Sequence, residues 1–172
     1  MSFIKSTAAA TKGLVTAVAV AFSTAAIAVD SGYAIGHGAL EVFNDDAIEL
    51  APTWLKIWLA LMLGTFAAGL YFSWKHPLAR WATGGFLVSI TTGGIVFTSL
   101  GLPFLSGGIS IMHIACWSPA LALLLLKRPF LDPSELTSFR IWSGIMTGVI
   151  IFSFFFDIRD AAIYLSHISS LG

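Results

Sequence analysis

The stretch 141–156, IWSGIMTGVIIFSFFF, decides the fold, and it ends abruptly in the charged sequence Asp157-Ile158-Arg159-Asp160. A helix rises about 1.5 Å per residue, so a helix that starts after Arg140 crosses a membrane core of about 30 Å in roughly 20 residues. The stretch therefore predicts a membrane span with its charges at one surface. At about 100° per residue, four polar side chains fall on one face, whereas Arg159 points elsewhere. The four are Asp157, Asp160, Tyr164 and His167.

The composition of the whole chain agrees with a membrane protein. Hydrophobic residues make up 57%, charged residues make up 10%, and the mean hydropathy is +0.88. An ordinary water-soluble domain does not reach these values, so the lipid bilayer is the first expected partner. The formal net charge is zero and no basic run occurs, so nucleic-acid binding has no electrostatic support. A single cysteine, Cys116, excludes an intramolecular disulfide and a cysteine-rich metal site.

The apolar segments predict an all-α membrane protein, a single bundle of five helices over residues 1–172 without an extramembrane domain. The first segment has a second interpretation. Its basic start and the small residues Ala26 and Ala28 are also typical of a signal peptide, so residues 13–28 could instead be removed by cleavage. The five predicted helices are 13–36, 53–74, 82–101, 108–127 and 139–168.

Basic residues are distributed unequally between the two sides of this bundle. Seven of the nine lysines and arginines fall on the side of the amino terminus, and only Lys56 and Arg159 fall on the other. Because cytoplasmic loops carry such an excess, we predict a cytoplasmic amino terminus and an outer carboxyl terminus in a bacterial inner membrane. The seven are Lys5, Lys12, Lys75, Arg80, Lys127, Arg128 and Arg140.

The first predicted helix carries a polar stripe like that of the last. Its members fall within about 80° of one another on a helix. Both stripes lie towards the outer side, so together with Arg159 they predict a polar cluster at the outer leaflet. The members of the first stripe are Asp30, Tyr33, His37 and Glu41.

Three histidines of the outer side, His37, His113 and His167, are candidate ligands for a haem or a transition metal. Imidazole nitrogens bind zinc, copper and iron, and neighbouring carboxylates orient the rings. No HxxxH or HExxH pattern places two ligands on one helix, so such a site would need side chains from three helices. Ionisable residues inside a membrane also mark proton or ion pathways, which leaves a translocating or small-molecule transport protein as a further interpretation.

The third predicted helix contains Gly85, Ser89 and Gly93 at intervals of four residues. Small residues at this spacing let two membrane helices approach closely, and they indicate a packing face. Taken together, the sequence favours a non-catalytic membrane component that packs against other membrane proteins or against itself. A cofactor-binding redox subunit is the main alternative.

Overall fold

The computed structural model describes residues 33–36 and 38–171, and 80% of them belong to helices. A short helix is followed by four long ones, each long and apolar enough to cross a membrane. The chain is therefore a multi-pass membrane protein built as a helical bundle. The helices are α1 (Asp45–Leu50), α2 (Thr53–Ser73), α3 (Pro77–Ser99), α4 (Ser106–Lys127) and α5 (Thr137–Leu171), with a 3-10 turn at Pro129–Leu131.

Three of the long helices begin within two residues of their predicted starts, and α3 begins five residues earlier than predicted. Pro77 occupies the first turn of α3, where its missing N–H would have no helical partner in any case. The proline therefore opens this helix. The longest helix, α5, has 35 residues and ends three residues after the predicted end at residue 168.

The predicted first helix, 13–36, is described only in its last four residues, which are not helical. Ile35 forms an isolated bridge with Val42, and the N–H of Val42 donates to the carbonyl of Ala34 over 2.8 Å. Tyr33 and Glu41 therefore do not share a helical stripe, contrary to the prediction. Residues 13–32, the cleavage alternative for 13–28, and the candidates Asp30 and His37 lie outside the described residues.

The two ends of the bundle differ in charge, and we name them accordingly. The basic end consists of the turns at 74–76 and 128–136 with the adjoining helix ends. The acidic end consists of residues 33–36 and 38–52 and the loop 100–105. The basic side chains of the basic end are Lys75, Arg80, Lys127, Arg128 and Arg140. The acidic side chains of the acidic end are Glu41, Asp45, Asp46 and Glu49.

Two hydrophobic clusters fill the interior. The larger cluster lies between all four long helices, and in it Phe66 stacks on Phe86 with ring centroids 4.3 Å apart. The smaller cluster lies at the acidic end and contains Val42, Phe97, Phe104, Leu105, Met112 and Tyr164. Helix α4 packs mainly against α3 and α5, whereas α2 packs mainly against α3 and less extensively against α5.

The predicted small-residue face of α3 lies against α4 and its preceding loop. A side chain at Gly85 would collide with the carbonyl oxygen of Cys116, and one at Gly93 would collide with the ring of Phe104. Between them, Ser89 is buried. The close approach of α3 and α4 brings Ser89 to the polar residues of α4.

Candidate functional site

The centre of the candidate site is a contact between α4 and α5 inside the bundle. His113 Nδ1 lies 3.3 Å from Asp157 Oδ1, and the two side chains are only 16% and 10% exposed. An ionised carboxylate can only accept, so Nδ1 carries the hydrogen when Asp157 is charged. His113 lies seven residues into α4, about 10 Å from the start of that helix. The pair therefore belongs to the acidic half of the bundle.

Further contacts connect His113, through Trp117 on α4, to Ser89 on α3. The imidazole stacks on the indole of Trp117, one helical turn on, with centroids 4.0 Å apart. Trp117 Nε1 donates to Ser89 Oγ over 3.2 Å, and Ser89 Oγ donates to the Phe86 carbonyl over 2.8 Å. Trp117 is completely buried. One connected set of side chains therefore links α5, α4 and α3.

One atom of this site has no partner among the described residues. Asp157 Oδ2 is buried and accepts no hydrogen bond from any of them. Leaving a buried polar atom without a hydrogen bond costs free energy, so Asp157 Oδ2 is the atom of the site that a further donor would stabilise most.

The start of α4 is held by the segment that precedes α1. The first N–H groups of a helix have no partner within the helix. Here the N–H of Ser106 donates to the Glu41 carbonyl over 2.9 Å, and that of Gly107 donates to the Ala39 carbonyl over 2.8 Å. The hydroxyl of Ser106 donates to the Glu41 carbonyl as well. Residues 38–44 are not helical, and the carbonyls of Ala39 and Glu41 are therefore free to bind the start of α4.

Two members of the predicted stripe on α5 also face the interior. Tyr164 is buried, and its hydroxyl donates to the Pro103 carbonyl over 2.7 Å. Asp160 is half-buried, and its backbone carbonyl lies where a side chain at Gly107 would have to fit. Arg159 points away from this face and is exposed. The stripe thus lies along the contact with α4 and the loop before it.

The candidate histidine ligands do not converge. His167 Nε2 lies 2.8 Å from the Tyr33 hydroxyl at the acidic end, ten residues along α5 from Asp157, which is about 15 Å. His37 is outside the described residues. Over 33–36 and 38–171, no three His, Cys, Asp or Glu side chains are grouped so that they could hold a metal ion. The Glu41 carboxylate instead accepts from the N–H of Gly38 over 2.8 Å.

Ser89, Trp117 and the Pro103 carbonyl take part in the site but were not predicted as members. The separation of four residues between His113 and Trp117 could have indicated their ring contact, since such pairs are neighbours on a helix. No sequence signal marks a backbone carbonyl as the partner of a tyrosine. No protein-family model, curated protein or solved structure matches the chain.

Proposed function

We propose that the chain is a non-catalytic component of a bacterial inner membrane that packs against other membrane proteins or against further copies of itself. In this proposal the buried polar site determines which arrangement of α3, α4 and α5 is presented to the partner. The observation that carries it is the 3.3 Å contact between His113 and Asp157 inside the bundle. Helices in lipid gain little from apolar contact with each other, so buried polar pairs and small residues select the arrangement.

The excess of basic residues supports an orientation with the basic end in the cytoplasm and the acidic end outside. The His113–Asp157 pair then lies in the outer leaflet. The acidic end, where the Ala39 and Glu41 carbonyls bind the start of α4, forms part of the proposed working surface.

The test compares His113→Ala with Thr91→Ala, an exposed position on α3, in the full chain purified in mild detergent. The packing role predicts that His113→Ala lowers thermal stability and the fraction of assembled protein, and that Thr91→Ala changes neither. Absorption spectra of oxidised and reduced samples, with elemental analysis, are recorded for both. A Soret band or a stoichiometric metal that His113→Ala removes would contradict the packing role and favour a cofactor subunit.

A second function, proton binding for translocation, is favoured by the buried oxygen Asp157 Oδ2, which has no partner among the described residues. Buried carboxylates beside histidines can take up and pass on protons. If the site does so, the protein in vesicles discharges an imposed pH gradient, and Asp157→Asn stops the discharge. Equal discharge by both proteins would exclude a role for this carboxylate.

A further inference from the structure

A cavity at the basic end opens between the end of α2 and the start of α5. Its volume is about 280 Å³, and Lys75, His76 and Ser138 contribute polar groups to its lining. Tyr71 and Trp74 line it too, and both side chains are largely exposed. Exposed tyrosine and tryptophan rings lie at the level of the lipid headgroups in membrane proteins. The cavity is therefore at headgroup depth.

An apolar groove of about 560 Å³ continues from this cavity along α2 and α5, and Phe72 and Ser138 line both. On α2 its wall consists of small residues at intervals of four, Ala60, Gly64 and Ala68. Nothing lies within 4 Å of the position that a Cβ atom would take at Gly64, so the groove is open there. We call the cavity and the groove together the α2–α5 cleft.

The length of the cleft matches one leaflet. From Lys75 to Ala60 the chain rises about 22 Å, and half of a bilayer with its headgroup regions is about 20–22 Å. The cleft thus reaches from the headgroup level to the middle of the membrane. A polar entrance at the surface and an apolar groove below it have the same order as the headgroup and acyl chain of a lipid.

The charge at the entrance favours an anionic headgroup. Lys75 makes no ion pair with any described residue, and Arg80 donates to the Ser73 and Trp74 carbonyls of the same turn. The acid nearby is Glu135, whose Oε2 lies 3.8 Å from His76 Nδ1. Basic pockets between membrane helices bind anionic lipid headgroups, and each lysine near the surface contributes to that attraction.

We infer that the α2–α5 cleft binds one anionic phospholipid of the surrounding bilayer, with its phosphate at Lys75 and one acyl chain along Ala60, Gly64 and Ala68. The ammonium group attracts the phosphate. The small residues leave room for the chain against the opposite wall of Ile141 and Ile145. This lipid would fill the space between α2 and α5, where the two helices pack less extensively.

The experiment measures lipid binding to the delipidated full chain by native mass spectrometry, with phosphatidylglycerol and phosphatidylcholine of the same acyl chains. Lys75→Gln tests the entrance, and Lys127→Gln is its control at the same end. Gly64→Leu tests the groove. Gly84→Leu is its control, because a Cβ atom there also meets nothing within 4 Å.

We expect one phosphatidylglycerol to bind about fivefold more tightly than phosphatidylcholine. Lys75→Gln should remove this preference, and Lys127→Gln should keep it. Gly64→Leu should weaken the binding of both lipids, whereas Gly84→Leu should weaken the binding of neither. Equal binding of the two lipids by the parent protein would overturn the inference. So would equal effects of the two lysine variants, competition by inorganic phosphate alone, or a dimer that only Gly64→Leu abolishes.

Discussion

The acidic and basic halves of the bundle are held together by different kinds of contact. In the acidic half, α5 meets α4 through the His113–Asp157 pair and a backbone contact at Gly107, and its Tyr164 hydroxyl donates to the Pro103 carbonyl in the loop before α4. In the basic half, the interior is apolar and includes stacked aromatic rings such as Phe66 on Phe86. The open α2–α5 cleft lies in this half.

The difference shows where the arrangement of the helices is specified. Aromatic packing stabilises strongly but tolerates small shifts of one helix along another. A histidine and a carboxylate inside the membrane are close only in one alignment. We therefore expect the basic half to contribute more to stability and the acidic half to specify how the helices pack.

The largest expected loss of stability follows a substitution in the basic half. Phe66→Ala removes a buried ring that touches both Phe86 and Trp117, and it should lower the free energy of unfolding by about 3–5 kcal/mol. Reversible unfolding in mixed micelles measures this loss. Phe155→Ala, at a largely exposed ring on α5, is the control and should change little. Equal effects would mean that the aromatic interior does not stabilise the bundle.

The close backbone contact of the acidic half is tested at Gly107. A Cβ atom there would lie 2.7 Å from the Asp160 carbonyl oxygen and closer still to the Tyr164 side chain. Gly107→Ala should therefore cost about 1–3 kcal/mol in the same assay, as overpacking does. Gly148→Ala, where a Cβ atom meets nothing within 4 Å, should be neutral or slightly stabilising. A neutral Gly107→Ala would show that α4 and α5 can separate freely here.

A smaller loss is expected for the hydrogen bond between Tyr164 and Pro103. Tyr164→Phe removes the donor and leaves the carbonyl without it, at a cost of about 1 kcal/mol. Tyr71→Phe, at an exposed ring, is the control. If both variants unfold like the parent, the loop 100–105 is held by packing alone.

The smallest effect concerns the turn before α5. Hydrogen bonds from the Ser134 hydroxyl and N–H lower the pKa of the Asp132 carboxyl below its usual value, and Arg140 adds to this. A lowered carboxyl pKa stabilises the fold above the unfolded-state pKa, and this contribution is lost as the pH falls through the folded-state value. Ser134→Ala should raise the pKa of Asp132, as NMR titration would show, with little change in stability at neutral pH. An unchanged pKa would contradict the role of these bonds.

The helices could be read from the sequence more reliably than the site. Runs of apolar residues of membrane length predicted α2 to α5 to within a few residues, because the bilayer leaves the backbone few alternatives to a helix. The position of Tyr33 beside His167 could not be predicted, since Tyr33 lies in a non-helical segment whose Ile35 forms a bridge with Val42, a contact that no periodicity in the sequence marks. Helical periodicity placed Asp157 on a polar face, but only the packing of α4 shows that its partner is His113.

The most direct test of the account is a double-mutant cycle on His113 and Asp157, with His113→Leu, Asp157→Leu and both together, measured by reversible unfolding in mixed micelles. The account predicts a loss of about 1–3 kcal/mol for each single change, because each leaves a buried polar group without its partner. It also predicts that the double change costs no more than either single one. If the two single losses of unfolding free energy simply add in the double variant, the two residues are not coupled. That result would contradict the claim that this contact specifies how α4 and α5 pack.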